Sequence, residues 1–130
     1  MKKLEHEEIK NIKKVLHEQQ KYWNIGDING FMQSYWNSED LIFTSLNHQP
    51  IYGWQSTLER YKKSYPNHAS MGKLKFELLH ISVSSDNVSA DLKGCWELIR
   101  NEDNSKGEFF LELKKIDGNW KITKDSTISY

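Results

Sequence analysis

The chain has 130 residues, and its 18 Lys plus Arg are balanced by 18 Asp plus Glu, so the formal net charge is zero. A neutral chain without a basic block argues against electrostatically driven binding to nucleic acid or to an anionic membrane surface. Five Trp, six Tyr and five Phe, in a chain whose mean hydropathy is a polar −0.78, argue against disorder, and a lone cysteine, Cys95, excludes an internal disulfide framework.

This length suits one domain over residues 1–130 around a single core. The first residues, Met1-Lys2-Lys3-Leu4-Glu5, are charged and lead into no apolar run, unlike a secretory signal. No stretch approaches the ~20 apolar residues that span a bilayer. The expectation is a cytoplasmic protein, with a secreted form whose signal has been trimmed as the alternative.

In chain order, Ile9, Ile12, Leu16, Gln20 and Trp23 recur at intervals of three and four and predict one helical stripe. Glu5, Glu7 and Glu8 suit the positive end of its dipole, and Gly26 is a natural stop. Asp27 is placed to cap a short second helix carrying Ile28, Phe31, Met32 and Tyr35. A short strand follows at Leu41–Thr44, then a turn at Asn47–Pro50 and a brief return at Ile51-Tyr52. Gly53 opens a third helix, with Trp54, Leu58, Tyr61 and Tyr65 on one stripe and Pro66 closing it.

Beyond Gly72 the pattern alternates. Leu74, Phe76 and Leu78 share one phase and Leu79, Ile81 and Val83 the other, which predicts a β-bulge between them. Ala90, Leu92, Gly94, Trp96 and Leu98 mark the inner face of a long strand; Phe109, Leu111 and Leu113 mark another. Asp117-Gly118 is a strong hairpin signal. Trp120 and Ile122 open the last strand, whose regular continuation turns Lys124 and Ser126 inward and Asp125 outward beside Lys121 and Thr123. In that position Asp125 suits an ion pair or a dimer contact. The fold class is therefore α+β, with about three N-terminal helices on one face of a bent, mainly antiparallel sheet.

Several segments in this order resemble the nuclear transport factor 2-like superfamily, and within it a SnoaL-like branch of largely unassigned bacterial proteins. They are Trp23-Asn24-Ile25-Gly26-Asp27, Phe31-Met32, Tyr35-Trp36, Gly53-Trp54-Gln55, Thr57-Leu58-Glu59-Arg60-Tyr61 and Trp120-Lys121-Ile122. The resemblance implies a cone-shaped fold, a pocket between helices and sheet, and a homodimer. It further implies kinship with ketosteroid isomerase, scytalone dehydratase and polyketide cyclases, as well as with non-catalytic association modules. The branch typically ends its last strand with Asp-His-Thr-Ser, whereas this chain reads Asp125-Ser126-Thr127-Ile128. Ser126 cannot act as the base that an imidazole would be.

The glycines form no phosphate-binding fingerprint, and His6-Glu7 and His17-Glu18 lack the second histidine of a zinc-protease pattern, so neither cofactor nor metal is expected. A small-molecule pocket is expected instead, lined by Trp23, Tyr35, Trp36, Trp54, Tyr61 and Trp96, with Lys124 and Ser126 at its open end. Small Ala90 and Gly94 leave room on the sheet. The leading reading is a protein that binds a small, largely apolar ligand. The enzymatic alternative is an isomerase, dehydratase or cyclase that moves a proton on a carbonyl compound, with Asp40 as base and Tyr35 or Tyr61 as donor. A third alternative is an association module whose cavity is filled by side chains.

Overall fold

A computed structural model describes residues 2–45 and 48–130 of the chain. Helix α1 (Lys2–Asn24) is followed by a short α2 (Ile28–Met32), strands β1 (Ile42–Ser45) and β2 (His48–Tyr52), then α3 (Trp54–Ser64) and a one-turn α4 (His68–Met71). Four long strands complete the chain: β3 (Lys73–Val83), β4 (Ser89–Ile99), β5 (Asn104–Ile116) and β6 (Asn119–Ser129). With β1 and β2 they form one six-stranded sheet in the order β2-β1-β6-β5-β4-β3, antiparallel except where β1 runs parallel to β6. The α+β cone, with helices on the concave face of a curved sheet, is as the sequence implies. The expected turn at Asn47–Pro50 falls partly outside the described residues, and His48–Pro50 belong to β2.

Local chemistry sets the element ends. Asp27 caps α2 by accepting from the Gly30 amide at 2.8 Å, and Gly26 leaves α1 with φ of 82°. The α4 turn, absent from the sequence expectations, rests on a reciprocal cap between Asn67 and Ser70. Asp117 and Gly118 both have positive φ, 52° and 82°, the backbone of a tight two-residue hairpin.

Along α1 the buried face runs through Glu8, Ile12, Leu16, Gln19 and Trp23. Gln19 thus takes the core position that the spacing assigned to Gln20. Gln20 instead turns to the sheet edge, where its Oε1 accepts from the Phe76 amide at 2.9 Å. Asn24 does likewise, accepting from the Leu74 amide at 2.7 Å and donating to the Leu74 carbonyl at 3.1 Å. These bonds occupy the open side of edge strand β3, which would otherwise present unpaired backbone groups. At the other end of α1, buried Glu8 pairs with Lys115 Nζ at 2.6 Å and fastens the helix to the end of β5.

Two bulges shape the long strands. The first lies between Leu78 and His80, where the phase change of the apolar residues predicts it. The second was not expected. Glu112 pairs with Lys124 and Leu113 with Ile122, so Thr123 is an extra residue on β6. A one-residue insertion moves every later side chain to the opposite face.

Candidate functional site

Between α1, α3 and the concave sheet lies a cavity of about 190 Å³. An engineered apolar cavity of about 150 Å³ takes up benzene, so this one admits roughly a single substituted ring. One wall is an aromatic cluster whose hub is Tyr61, from α3. Its ring lies 5.1 Å from Phe31, 5.6 Å from Phe43 and 5.9 Å from Trp23, all edge-on, the packing that ring quadrupoles favour. Leu74, Phe76, Trp96, Leu98, Phe109 and Leu111 form the sheet side. The gap expected at Gly94 is filled, because a Cβ there would stand 2.5 Å from the Phe109 ring.

The polar end of the cavity is built by β6. Trp120 and Ile122 face the helices before the bulge; after it Asp125, Thr127 and Ser129 line the cavity. Asp125 is therefore an inward residue, only 5% exposed, and the outward position read from regular alternation is corrected by the insertion at Thr123. The segment after α2 pairs with the same strand: the Ile122 amide donates to the Ser34 carbonyl and the Trp36 amide to the Ile122 carbonyl, each at 2.9 Å. That pairing sets Tyr35 against β6. Its hydroxyl donates to Asp125 Oδ2 at 2.5 Å and lies 3.4 Å from the Tyr61 hydroxyl.

Burial dominates the electrostatics. Desolvation pushes the Asp125 carboxyl up from 3.8 to about 6, with the Tyr35 hydrogen bond pulling the other way. Desolvation, then the nearby Asp125 charge, raises both Tyr35 and Tyr61 well above the usual phenol value. The Asp125 Oδ1 atom is buried and has no hydrogen-bond partner among the described residues.

Of the residues expected at the pocket, Trp23, Tyr35, Tyr61 and Trp96 come together around this cavity. Four others do not line it. Trp54 is half-buried and donates its indole N–H to the Met32 carbonyl at 2.9 Å. Trp36 is half-buried where its backbone pairs with β6. The bulge sends Lys124 to the outer face, 3.7 Å from Glu112, and Ser126 to a hydroxyl bond with Thr44 at 2.9 Å. Asp40 is exposed in the turn before β1, a loop acid beside water and not a desolvated base. The residue that spacing misplaced is Asp125. Spacing leaves Gln19 and Gln20 both at the border of the buried helix stripe as candidates to hydrogen-bond a ligand, and of the two it is Gln19 that lines the cavity. Among the described residues no group of three His, Cys, Asp or Glu could hold a metal ion, and no helix is long and apolar enough to cross a membrane.

No protein-family model and no curated protein sequence matches the chain. Solved structures do. An NTF-2-like protein of unknown function from Shewanella oneidensis MR-1 is 39% identical with a TM-score of 0.86, over 92% of this chain and 98% of that one. A ketosteroid isomerase-like protein from Erwinia carotovora atroseptica superposes with a TM-score of 0.75 at 15% identity, over 95% of this chain and 96% of that one. A protein provisionally named a scytalone dehydratase, from Novosphingobium aromaticivorans, gives 0.74 at 13% identity, over 100% of this chain and 89% of that one. At those two lower identities the likeness is one of fold.

Proposed function

The chain belongs to the nuclear transport factor 2-like family, and from that premise we propose that its cavity binds a small, largely apolar ligand of about one ring. The observation that carries the reading is the Asp125 carboxyl, buried at the end of an aromatic-lined cavity, with Tyr35 on one oxygen and no partner for the other among the described residues. Apolar walls with a few convergent polar groups are what a small-molecule site needs. The open volume favours this over an association module with a filled core.

The same carboxyl favours a second reading, proton transfer on a carbonyl compound. A group that titrates near 6 can both take and return a proton near neutral pH. In this reading Asp125, not Asp40, is the base. Tyr35 holds Oδ2, so Oδ1 receives the proton from the carbon beside the ligand carbonyl, and the Tyr61 hydroxyl donates to the carbonyl oxygen as negative charge develops there. The names of the isomerase-like and dehydratase neighbours are in keeping with such chemistry.

Acetophenone tests both. Saturable quenching of tryptophan fluorescence is expected for the wild type, and no saturable binding would refute the ligand reading. Deuterium uptake at the acetophenone methyl, followed by NMR, is expected to exceed buffer in the wild type and to fall to buffer level in Asp125→Asn. Wild-type uptake equal to buffer would refute the catalytic reading alone.

The proposal includes a cytoplasmic homodimer joined through the outer sheet face. Phe110 stands 45% exposed there, paired across the strands with Lys93 and Ser126. Sedimentation at micromolar concentration is expected to give a dimer, and Phe110→Lys a monomer.

A further inference from the structure

Among the described residues, three buried side-chain polar atoms lack a hydrogen-bond partner: Gln19 Nε2, Trp120 Nε1 and Asp125 Oδ1. Two of the three, on Gln19 and Asp125, belong to side chains lining the same cavity, and they come from two different elements, α1 and β6. Gln19 is only 2% exposed. The other side-chain amides of this helix face are employed: Gln20 and Asn24 both bond the backbone of β3. Gln19 makes no such use of its Nε2.

A buried donor without an acceptor is unfavourable, whereas an apolar side chain of the same shape is nearly neutral or stabilising at such a site. Folding alone therefore favours Met or Leu at position 19. What would make the amide favourable is an acceptor brought by something that occupies the cavity. We propose that Gln19 is a ligand-recognition residue whose Nε2 donates to a carbonyl oxygen on the ligand while a hydroxyl at the ligand's other end meets Asp125 Oδ1. The inference rests on the ligand-binding reading above and narrows it. The ligand is a single-ring compound with two oxygen functions at opposite ends, a hydroxyaryl ketone or its like, and not a plain hydrocarbon or a compound with one oxygen.

Phenol, acetophenone and 4-hydroxyacetophenone serve as probes, with binding read by tryptophan fluorescence and by calorimetry in wild type and Gln19→Met. Wild type is expected to bind 4-hydroxyacetophenone about tenfold or more tightly than either single-function probe, the worth of one added hydrogen bond to an otherwise unpaired buried group. In Gln19→Met the affinity for 4-hydroxyacetophenone should fall to that for phenol, while phenol itself binds as before. The ligand-free melting temperature of Gln19→Met should equal or exceed that of wild type. Gln19→Leu repeats the comparison should the Met variant fold poorly.

A preference for 4-hydroxyacetophenone that survives in both variants overturns the inference, as does a lower ligand-free melting temperature in both, which would assign Nε2 to folding through bound water. Wild type that binds phenol and acetophenone but prefers neither them nor 4-hydroxyacetophenone overturns it while leaving the ligand reading intact. Wild type that binds none of the three overturns both.

Discussion

The Thr123 hydroxyl donates to the carbonyl oxygen of Glu112 at 3.1 Å, and this bond pins the extra residue of β6 against the strand it fails to pair with. The whole polar end of the cavity depends on the bulge that accommodates this residue. Without the bulge Thr123 would take the outward place after Ile122 and drive Lys124 and Ser126 inward; deleting Thr123 instead joins Lys124 to Ile122 and leaves Asp125 and Thr127 facing the cavity. An ammonium group without a partner in an apolar cavity costs several kcal/mol, roughly, which the bulge avoids. The deletion variant also keeps Lys124 outside and should still fold with Asp125 inward. Thr123→Val keeps the register and loses one hydrogen bond, with an expected loss of about 1 kcal/mol. A deletion variant that fails to fold, or whose stability no longer carries the pH dependence of a buried Asp125, would show that Thr123 is not the extra residue.

The pH dependence of stability follows from Asp125, whose carboxyl is pushed up from 3.8 to about 6 by burial. Between those values the folded chain keeps a proton that the unfolded chain has released. Stability from this group is therefore highest in acid, falls as pH rises through the window from about 4 to about 6, and then levels off. The total is on the order of 3 kcal/mol, at about 1.4 kcal/mol for each pKa unit. Urea unfolding at pH 4 to 8 should show that decline in wild type and a flatter profile in Asp125→Asn. Identical profiles for the two proteins would contradict the buried carboxyl.

Asp40 and Asp125 can be told apart by substitution. Asp40→Asn alters an exposed turn acid and should leave acetophenone binding within about twofold and stability within about 0.5 kcal/mol. Asp125→Asn should change the pH dependence of binding. A loss of binding in Asp40→Asn would place the site elsewhere.

Gly107 of β5 pairs with Ser129 at the end of β6, and a Cβ there would overlap the Ile128 carbonyl oxygen. The obstacle is backbone, which cannot rotate aside. Gly107→Ala should therefore cost about 3 kcal/mol, at the upper end for overpacking, and loosen the strand that carries Asp125. A thermal melt within two degrees of wild type would refute this.

Much of the fold was legible because apolar residues mark their own phase. Leu78-Leu79 announces its bulge by placing two leucines side by side, and Asp117-Gly118 names its turn. The second bulge sits in Thr123-Lys124-Asp125-Ser126-Thr127, where both phases are polar, so a slip by one leaves no mark in the hydrophobic pattern. The available signal was energetic: unbroken alternation sends the Lys124 charge into an apolar interior. Gln19 and Gln20 were indistinguishable for another reason. Leu16 and Trp23 are seven apart, so either residue completes intervals of three and four. Only the geometry of helix against sheet edge separates the two.

Gln20 and Asn24 also bear on how the molecule opens. Their amides occupy backbone positions of β3, so α1 cannot lift from the sheet without freeing the Leu74 and Phe76 N–H groups to solvent. Amide hydrogen exchange at Leu74 and Phe76 should then follow the exchange of the α1 core around Leu16 rather than that of a fraying strand, making helix and edge one cooperative opening unit.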